Sequence, residues 1–457
     1  MAKISGRQVE IGIGIETTPN TAVACADYFK WDNFSLVAYS DKEFLDSARG
    51  IRNKHSNSII TEQYGKGAIE FAPTVDILPY VLGMFLGVRN TATAAGESAV
   101  YVHTFTVQNA NTSMKTATLA IKQGGLQTEQ YCNTVADSLS VTIGKGIGKA
   151  KVGLIGNFPS TVSAIYPSYT QDTLFSRNQM LAYFGASVSA ALGTAALTTL
   201  TSDATAPADG ATIVIGGVTY TAKTTLTGAP YEVLINTTAA AFIINLKKAI
   251  NGTGVAGTDY GVNTVAHTQV YATTLTTTTL VIVARANGTP SNAIATTQAG
   301  TSHCTWAGTT MTSGTPGTGA GPTPLVEITF DGANAVQFAD AFLSGSAQPI
   351  AGGFIAGPLT LKGSYTLHFA DTVEYSKYLN GTNNNLVVVL TGALLGVVPT
   401  PESIVLKFGD IVLTKPPVEY KKDGLMLLKQ EFEVQYDATD KELTALVTNG
   451  YAGTNYQ

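Results

Sequence analysis

Charged residues are scarce in this chain of 457 residues. They make up 13% of the sequence, about half the share of an average soluble domain. The formal net charge is −5, so the chain has no basic surplus with which to grip phosphate groups. These values exclude a nucleic-acid binder that depends on phosphate contacts. A hydrophobic content of 44% is still ample for a core, and the length predicts two or three domains.

Cysteine is scarce as well. The three cysteines, Cys25, Cys132 and Cys304, are widely separated, and no CxxC pair occurs. An odd number of such scattered cysteines argues against a disulfide framework. The first residues, MAKISGRQVE, lack the apolar stretch of a signal peptide. No apolar run reaches the roughly eighteen residues that a membrane helix needs, so we expect no membrane span.

Recognisable catalytic and metal-binding motifs are also missing. The five histidines are scattered, without HExxH or another ligand spacing. Residues 144–149 (GKGIGK) superficially resemble a phosphate-binding loop, but they lie between two strands and lack the GK[ST] ending, which favours a hairpin turn. Cys304 follows His303 without an identifiable base. We therefore expect no enzyme, no metal and no cofactor.

Residues 39–88 carry the most informative pattern. A charged arm at about 41–57 is followed by a predicted strand at 59–72 and a short apolar helix at 77–86. In the strand, Ile69 and Phe71 alternate with Lys66 and Glu70, which is the period of a half-buried strand. The arm is polar and lies between strands. It is either a mobile surface loop or a segment that a partner orders, because polar residues cannot offset their ordering entropy alone.

The predicted helix at 77–86 is apolar nearly all round, which indicates a buried helix. It is too short to cross a bilayer. Asp76 is the expected N-cap, Pro79 falls in the first turn, and Gly87 suits the C-terminal cap.

Alternating patterns predict strands through most of the remaining chain. The last one, MLLKQEFEVQYD, places Leu428, Phe432, Val434 and Tyr436 on an apolar face. A polar loop is predicted at 89–99. The other predicted strands are 9–16, 101–107, 116–123, 126–133, 138–143, 150–155, 326–330, 359–370, 386–391 and 403–408.

The composition changes between about 193 and 321. Residues 195–322 contain four basic and four acidic residues and are dense in Thr, Ala and Gly. Linker-like segments, ALGTAALTT and MTSGTPGTGAGPTP, flank this region. A hairpin is predicted at 212–222, a helix at 239–250 capped by Thr237 or Thr238, and a strand at 280–284. We interpret 193–321 as a small α+β domain inserted into a fold made of 1–192 and 322–457; the alternative is a long low-complexity loop.

The segments on both sides of this insert resemble a tail tube protein (major tail protein) of a long-tailed bacteriophage. The resemblance rests on IGIGIETTPNTAVA, on ARGIRNK and GKGAIEFAPTVDILPYVLGMFLG, on YCNTVADSLSVTIGKGIGKAKVGLIGN, and on KDGLMLLKQEFEVQYDATDKELTALVTNG. It covers about 1–190 and 322–457, and the order and spacing of the segments carry it rather than any single motif. The insert resembles a small domain found in various phage structural proteins.

The resemblance implies a mainly β fold of two packed antiparallel sheets with a short flanking helix. Six copies would form a ring, their sheets would join into one inner β-barrel, and stacked rings would form the hollow tube through which DNA is ejected. The implied partners are further copies of the chain, a tape measure protein inside the tube, a tail terminator and a distal tail protein. DNA would pass through the lumen without specific binding. The implied location is the virion tail, assembled in the host cytoplasm.

By the same resemblance, the arm at about 41–64 would reach the neighbouring ring. The last strand would offer an acidic face to the lumen. The residues expected in arm contacts are Glu43, Asp46, Arg49, Arg52 and Lys54, and those expected on the acidic face are Glu431, Glu433 and Asp437.

The insert can be placed by its size. A compact domain of this length has a radius of gyration of roughly 14 Å, and six of them inside a ring would block a channel. We therefore expect the insert on the outside of the ring. There it either makes weak contact with host envelope or glycan, or is exposed to solvent without a binding role. The alternative for the whole chain is a secreted or surface β-rich adhesin or layer protein. Threonine richness and low charge fit it, but the missing signal peptide and the lack of a disulfide framework do not.

Overall fold

Strands dominate the computed structural model, as the sequence predicts, and the mainly β fold class is confirmed. No helix in the described residues is long and apolar enough to cross a membrane. The described residues are 5–46, 55–94, 99–109, 114–125, 127–162, 165–167, 169, 173–185, 194–315, 325–337, 342, 347–350, 353–368, 373–395, 400–415, 418–419, 426–438, 441–452 and 456.

The strands and helices follow the chain in an order that separates a central block from its flanks. The first strands are β1 (Val9–Ile15), β2 (Asp27–Phe29), β3 (Trp31–Phe34), β4 (Val37–Asp46), β5 (His55–Phe71), β6 (Gly87–Thr93), β7 (Tyr101–Val107), β8 (Ala117–Gln123), β9 (Gln127–Ile143), β10 (Lys149–Asn157), β11 (Ser160–Val162) and β12 (Met180–Gly185). The central block contains β13 (Ala195–Ser202), β14 (Thr212–Ile215), β15 (Val218–Lys223), β16 (Glu232–Leu234), β17 (Val270–Leu275), β18 (Thr279–Asn287), β19 (Thr296–Ala299) and β20 (Cys304–Trp306). The last strands are β21 (Leu325–Ala333), β22 (Thr360–His368), β23 (Asn384–Leu395), β24 (Thr400–Leu413), β25 (Val418–Glu419), β26 (Leu427–Gln435) and β27 (Leu443–Asn449). The helices are α1 (Leu78–Leu86), α2 (Ala239–Asn251) and α3 (Val373–Asn380).

The nineteen flanking strands form one continuous hydrogen-bonded network. The network is continuous because β9 is shared: its first half pairs with β8, and its second half pairs with β10 and β21. The sequence predicted two separate strands here, at 126–133 and 138–143. They are instead two halves of the single strand β9, which bends at Asn133, where φ is 53°. Strand β24 is shared in the same way. It pairs with β23 along one edge and with β27 and β26 along the other.

Helix α1 packs into the core of this network against β1, β6, β7 and β9. Every residue of α1 except Gly83 is buried, as its apolar pattern predicts. The predicted N-cap Asp76 is wrong, because the helix begins one residue later with Ile77 as its N-cap. The Oγ1 of Thr74 accepts the Ile77 N–H at 3.4 Å instead. The predicted C-terminal cap is confirmed, since Gly87 has a φ of 91° and donates its N–H to Gly83 O.

The predicted loop at 89–99 is wrong over its first part. Residues Gly87–Thr93 form β6, which pairs antiparallel with β7 along its whole length. The polar composition misled the prediction because β6 has several exposed residues and packs only partly on the core. Strands with a wet face tolerate such polar residues.

The central block has a hydrophobic core of its own, drawn from residues between Ala196 and Met311. Two four-stranded sheets and α2 enclose it. The predicted hairpin and helix are both present, and the Oγ1 of Thr238 accepts the Ala241 N–H at 3.2 Å, which identifies the cap. A low-complexity loop is therefore ruled out for this block. The predicted boundaries at 193 and 321 lie outside the described residues.

The two ends of the central block lie side by side. The Thr194 N–H donates to Thr315 O at 3.0 Å, and the Thr315 N–H donates to Thr194 O at 3.3 Å. The chain thus enters and leaves the block through one antiparallel bridge. Such a connection allows a block to be inserted without separating the strands that flank it.

Candidate functional site

The first candidate surface is the long hairpin of β4 and β5. Tyr39 pairs with Tyr64 and Leu45 with Asn57, with register shifts after Asp41 and after Leu45. The predicted polar loop at 41–57 is therefore wrong in its described part, because the arm consists of paired strands. Pairing satisfies the backbone of a polar segment without requiring a core beneath it.

Among the described residues, no core layer covers the outer part of this hairpin. All ten residues of β4 are exposed, and so are residues 57–61 of β5. Ile59 and Ile60 are neighbours on one strand and therefore point to opposite faces, so apolar side chains occur on both sides. The large exposed hydrophobic residues of the hairpin are Val37 (47%), Tyr39 (42%), Phe44 (54%), Leu45 (58%), Ile59 (63%) and Ile60 (47%).

The base of the hairpin contacts a later part of the chain. The Tyr39 and Tyr64 rings stack at 5.4 Å between centroids, and Phe342 approaches Tyr64 edge-on at 6.5 Å. The Gln63 N–H donates to Ala347 O at 2.6 Å. These contacts fix the direction in which the outer part of the hairpin extends from the rest of the fold.

The predicted arm residues divide between the strands and the connection between them. Glu43 and Asp46 are exposed on β4. Arg49, Arg52 and Lys54 belong to residues 47–54, which lie outside the described part of the chain. By sequence, those eight residues (SARGIRNK) carry three basic and no acidic side chains, whereas the paired strands carry an acidic excess. The acidic residues of the strands are Asp41, Glu43, Asp46 and Glu62, and their basic residue before Lys66 is Lys42.

The second candidate surface is a polar face on six adjacent strands, in the order β5, β10, β9, β21, β22 and β26. The opposite side chains of these strands belong to the core, as with Leu139, Val152, Phe330, Tyr365 and Phe432. One row across the polar face consists of Glu70, Lys151, Ser140, Asp331, Lys362 and Glu433, and the next consists of Lys149, Thr142, Thr329, Ser364 and Glu431.

Two ion pairs lie along the first of these rows. Lys151 Nζ lies 2.9 Å from Glu70 Oε1, and Lys362 Nζ lies 2.7 Å from Glu433 Oε1. The hydrogen bond from Lys151 keeps the pKa of Glu70 below its usual value. Between the charges stand hydroxyl groups, such as Thr142 Oγ1 and Thr329 Oγ1 at 3.0 Å. The polar face therefore offers alternating signs and no large field.

The predicted acidic character of the last strand needs correction. Glu431 and Glu433 do share the polar face, but Glu431 Oε2 lies 2.6 Å from Lys415 Nζ, and Glu433 is paired with Lys362. The sequence of one strand could not reveal lysines that come from neighbouring strands. Asp437 lies beyond the end of β26 in a turn, where its backbone exchanges hydrogen bonds with Lys441 at 3.3 and 2.9 Å. Tyr436 also lies beyond the strand and is 55% exposed, so it does not continue the apolar face.

The described residues contain no group of three or more His, Cys, Asp or Glu side chains that could hold a metal ion. Burial raises the pKa of the Cys25 and Cys304 thiols to about 11. Such thiols stay protonated at neutral pH and are poor nucleophiles.

Sequence reasoning missed the lysines that balance the polar face, as well as a buried polar network around Glu16. The Glu16 carboxylate accepts hydrogen bonds from Thr116 Oγ1 at 2.8 Å, Thr118 Oγ1 at 2.9 Å and the Asn133 N–H at 2.9 Å. This network fixes the bend of β9. No local pattern could have shown it, because its members lie about 100 residues apart in sequence.

No protein-family model matches the chain, and no curated protein matches it.

Proposed function

We propose that the chain is the repeating subunit of a hollow tube, similar to the tail tube of long-tailed bacteriophages. Copies would join side by side into rings, most simply of six, and the rings would stack. The observation that carries this proposal is the β4–β5 hairpin, which exposes apolar side chains on both faces without a core beneath them. A two-stranded hairpin of this kind is marginal in water by itself, and large exposed apolar patches mark interaction sites.

The hairpin suits contact with the next ring. Its paired strands carry an acidic excess, and its connecting residues carry only basic charges. Charges arranged in this way favour head-to-tail contacts between identical subunits, because unlike ends of neighbouring copies attract. Heterologous contacts of this type generate open stacks.

The polar face suits the wall of a channel. Six strands about 4.8 Å apart cover an arc of roughly 29 Å. Six such arcs would close a barrel of roughly 55 Å between backbones, which is wider than a DNA duplex. Because Glu70, Glu431 and Glu433 are each paired with a lysine, the face would neither hold nor strongly repel a passing polyanion.

The central block would lie on the outside of the tube. Its two ends meet in one bridge, so it is attached to the rest of the chain at a single place. For this block we propose either contact with host envelope or glycan, or a role as a surface decoration without a ligand. The further partners, namely a tape measure protein, a tail terminator and a distal tail protein, and the location in a virion belong to the same proposal.

Replacement of residues 44–58 by Asn-Gly tests the role of the hairpin. The change leaves Glu43 opposite Ile59 and joins them by a turn that favours a hairpin. We expect a folded subunit with an unchanged unfolding midpoint that forms no stacked tubes. Sedimentation and circular dichroism measure both properties on one sample. Tubes of normal length from this variant would contradict the proposed role.

A further inference from the structure

A cavity at the C-terminal end of α1 has no part in the surfaces described so far. Its volume is ≈ 540 Å³. Met84, Phe85 and Val107 give it apolar walls, and Gln108, Asn334 and Glu442 add polar groups. The cavity is thus built for a ligand that has both an apolar stem and a polar end.

The carboxylate in the cavity lacks a hydrogen-bond donor. Glu442 Oε2 is buried and accepts no hydrogen bond from the described residues. It lies by the C-terminal end of α1, which carries a partial negative charge, and the last turn of that helix contains no basic residue. A buried carboxylate oxygen without a donor costs free energy. A cation in the cavity would remove this cost.

The groups already present do not supply that cation. Asn334 Nδ2 donates to Phe85 O at 2.9 Å and the Gln108 N–H donates to Leu86 O at 2.7 Å, but both donors are neutral. Lys115 also lines the cavity and is the one basic residue described there, but it is exposed. No ion pair within 4 Å joins Lys115 to Glu442 in the described structure.

We propose that this cavity binds an arginine side chain from residues 47–54 of a second copy of the chain. This inference rests on the proposed assembly of identical subunits. Those residues carry Arg49, Arg52 and Lys54 and no acidic side chain. Arginine fits better than lysine, because its stem packs on apolar walls while its planar guanidinium donates several hydrogen bonds at fixed angles. A carboxylate, side-chain amides and helix carbonyls are the acceptors that such a group needs.

A peptide of residues 44–58 (FLDSARGIRNKHSNS) is the direct probe. The acceptor is the full chain with Arg49→Glu, Arg52→Glu and Lys54→Glu, which cannot fill its neighbours' cavities. Isothermal titration calorimetry should show saturable binding with one site per chain. Adding Glu442→Gln to the acceptor should weaken this binding on the order of tenfold or more, because charge-assisted hydrogen bonds are lost. Glu327→Gln, at an exposed position on β21, is the matched control and should leave binding unchanged.

Two readouts separate a binding role from a structural one. Glu442→Gln should leave the unfolding midpoint of the monomer unchanged or raise it, since it removes an unsatisfied charge. Lys115→Gln should strengthen peptide binding, since it removes a charge of the same sign as the arginine from the cavity lining. A peptide in which both arginines are replaced by glutamine should not bind.

Unchanged peptide binding in the Glu442→Gln acceptor would overturn the inference. So would binding of Mg²⁺ or Ca²⁺ that requires Glu442 in the absence of peptide binding, because it would mark a metal site. If wild-type tubes form but the peptide does not bind, the inference fails and the proposed assembly stands. If the peptide binds through Glu442 but the wild-type chain forms no tube, the proposed assembly fails alone.

Discussion

At the scale of single residues, Gly67 shows how closely the chain packs at the base of the hairpin. A Cβ atom at this position would overlap the backbone of Ser35 and Leu36. We expect Gly67→Ala to lower the free energy of unfolding by about 1–3 kcal/mol, as overpacking does. Gly146→Ala is the control, because nothing lies within 4 Å of its Cβ position. Urea denaturation of the two variants gives the comparison, and equal stabilities would contradict this packing.

The buried side chain of His103 should make the stability of the folded chain depend on pH. The ring is fully buried, with Nδ1 2.9 Å from Thr91 Oγ1 and Nε2 3.0 Å from Asn449 Oδ1. Asn449 Nδ2 donates to Val75 O and Tyr456 Oη, which leaves Asn449 Oδ1 to accept from a protonated Nε2. Burial lowers the pKa of His103 below its usual 6.5, and nearby Arg89 acts in the same direction.

A lowered histidine pKa means that the folded state excludes a proton that the unfolded state binds. The free energy of folding therefore has no cost from His103 above about pH 6.5. Stability is lost as the pH falls from there towards the lowered pKa of the folded state. We expect the unfolding midpoint to fall between pH 7.5 and 5.5, and to fall less in His103→Gln. His368→Gln, at an exposed position, should show the wild-type slope. His267, which is buried in the central block and also has a lowered pKa, should keep its own contribution in both variants.

At the scale of elements, the charge balance of the polar face can be tested with DNA as the polyanion. Asp331→Lys, Glu431→Lys and Glu433→Lys together turn a balanced face into a basic one, by six charge units. We expect tubes of this variant to retain double-stranded DNA at 50 mM NaCl and to release it as salt rises, because bound phosphates displace counterions. Electrophoretic retention measures this binding. The control is Asp331→Asn with Glu431→Gln and Glu433→Gln, which should retain DNA far more weakly.

Single elements were predictable where the pattern within one segment determines the structure. The alternation in β1, the apolar run of α1 and the Thr238 cap of α2 all indicated the observed elements. Features that depend on distant partners were not predictable. The hairpin pairing of the arm, the continuity of β9 through Asn133 and the lysines opposite Glu431 and Glu433 all require knowledge of strand order. Register and pairing are long-range properties of a sheet.

At the scale of the whole molecule, the bridge between Thr194 and Thr315 predicts that the central block can be removed. Replacing residues 195–314 by Gly-Ser-Gly should leave a folded chain, because the two ends already lie at the distance of paired strands. The block has its own core, so its removal should leave the core of the nineteen strands intact. We expect this variant to form tubes of smaller outer diameter and the same bore, measured by electron microscopy. Loss of assembly in a folded variant would show that the block lies within a subunit contact.

The proposed assembly would also account for the low charge of the chain. If the chain assembles into a tube as proposed, the contacts between copies would cover sheet edges that otherwise promote aggregation. A channel wall needs polar side chains without a net field, and the polar face has both properties. A secreted adhesin would share the threonine-rich composition, but it would not need a hairpin with apolar side chains on both faces.

Negative-stain electron microscopy of the purified chain, with size exclusion on the same sample, shows directly whether copies of the chain assemble into a tube. The proposed assembly predicts rings or hollow tubes with knobs on the outside, in equilibrium with smaller species that shift towards assembly as concentration rises. A monomer that stays monomeric up to high concentration, and also in the presence of preformed tube ends, would contradict it.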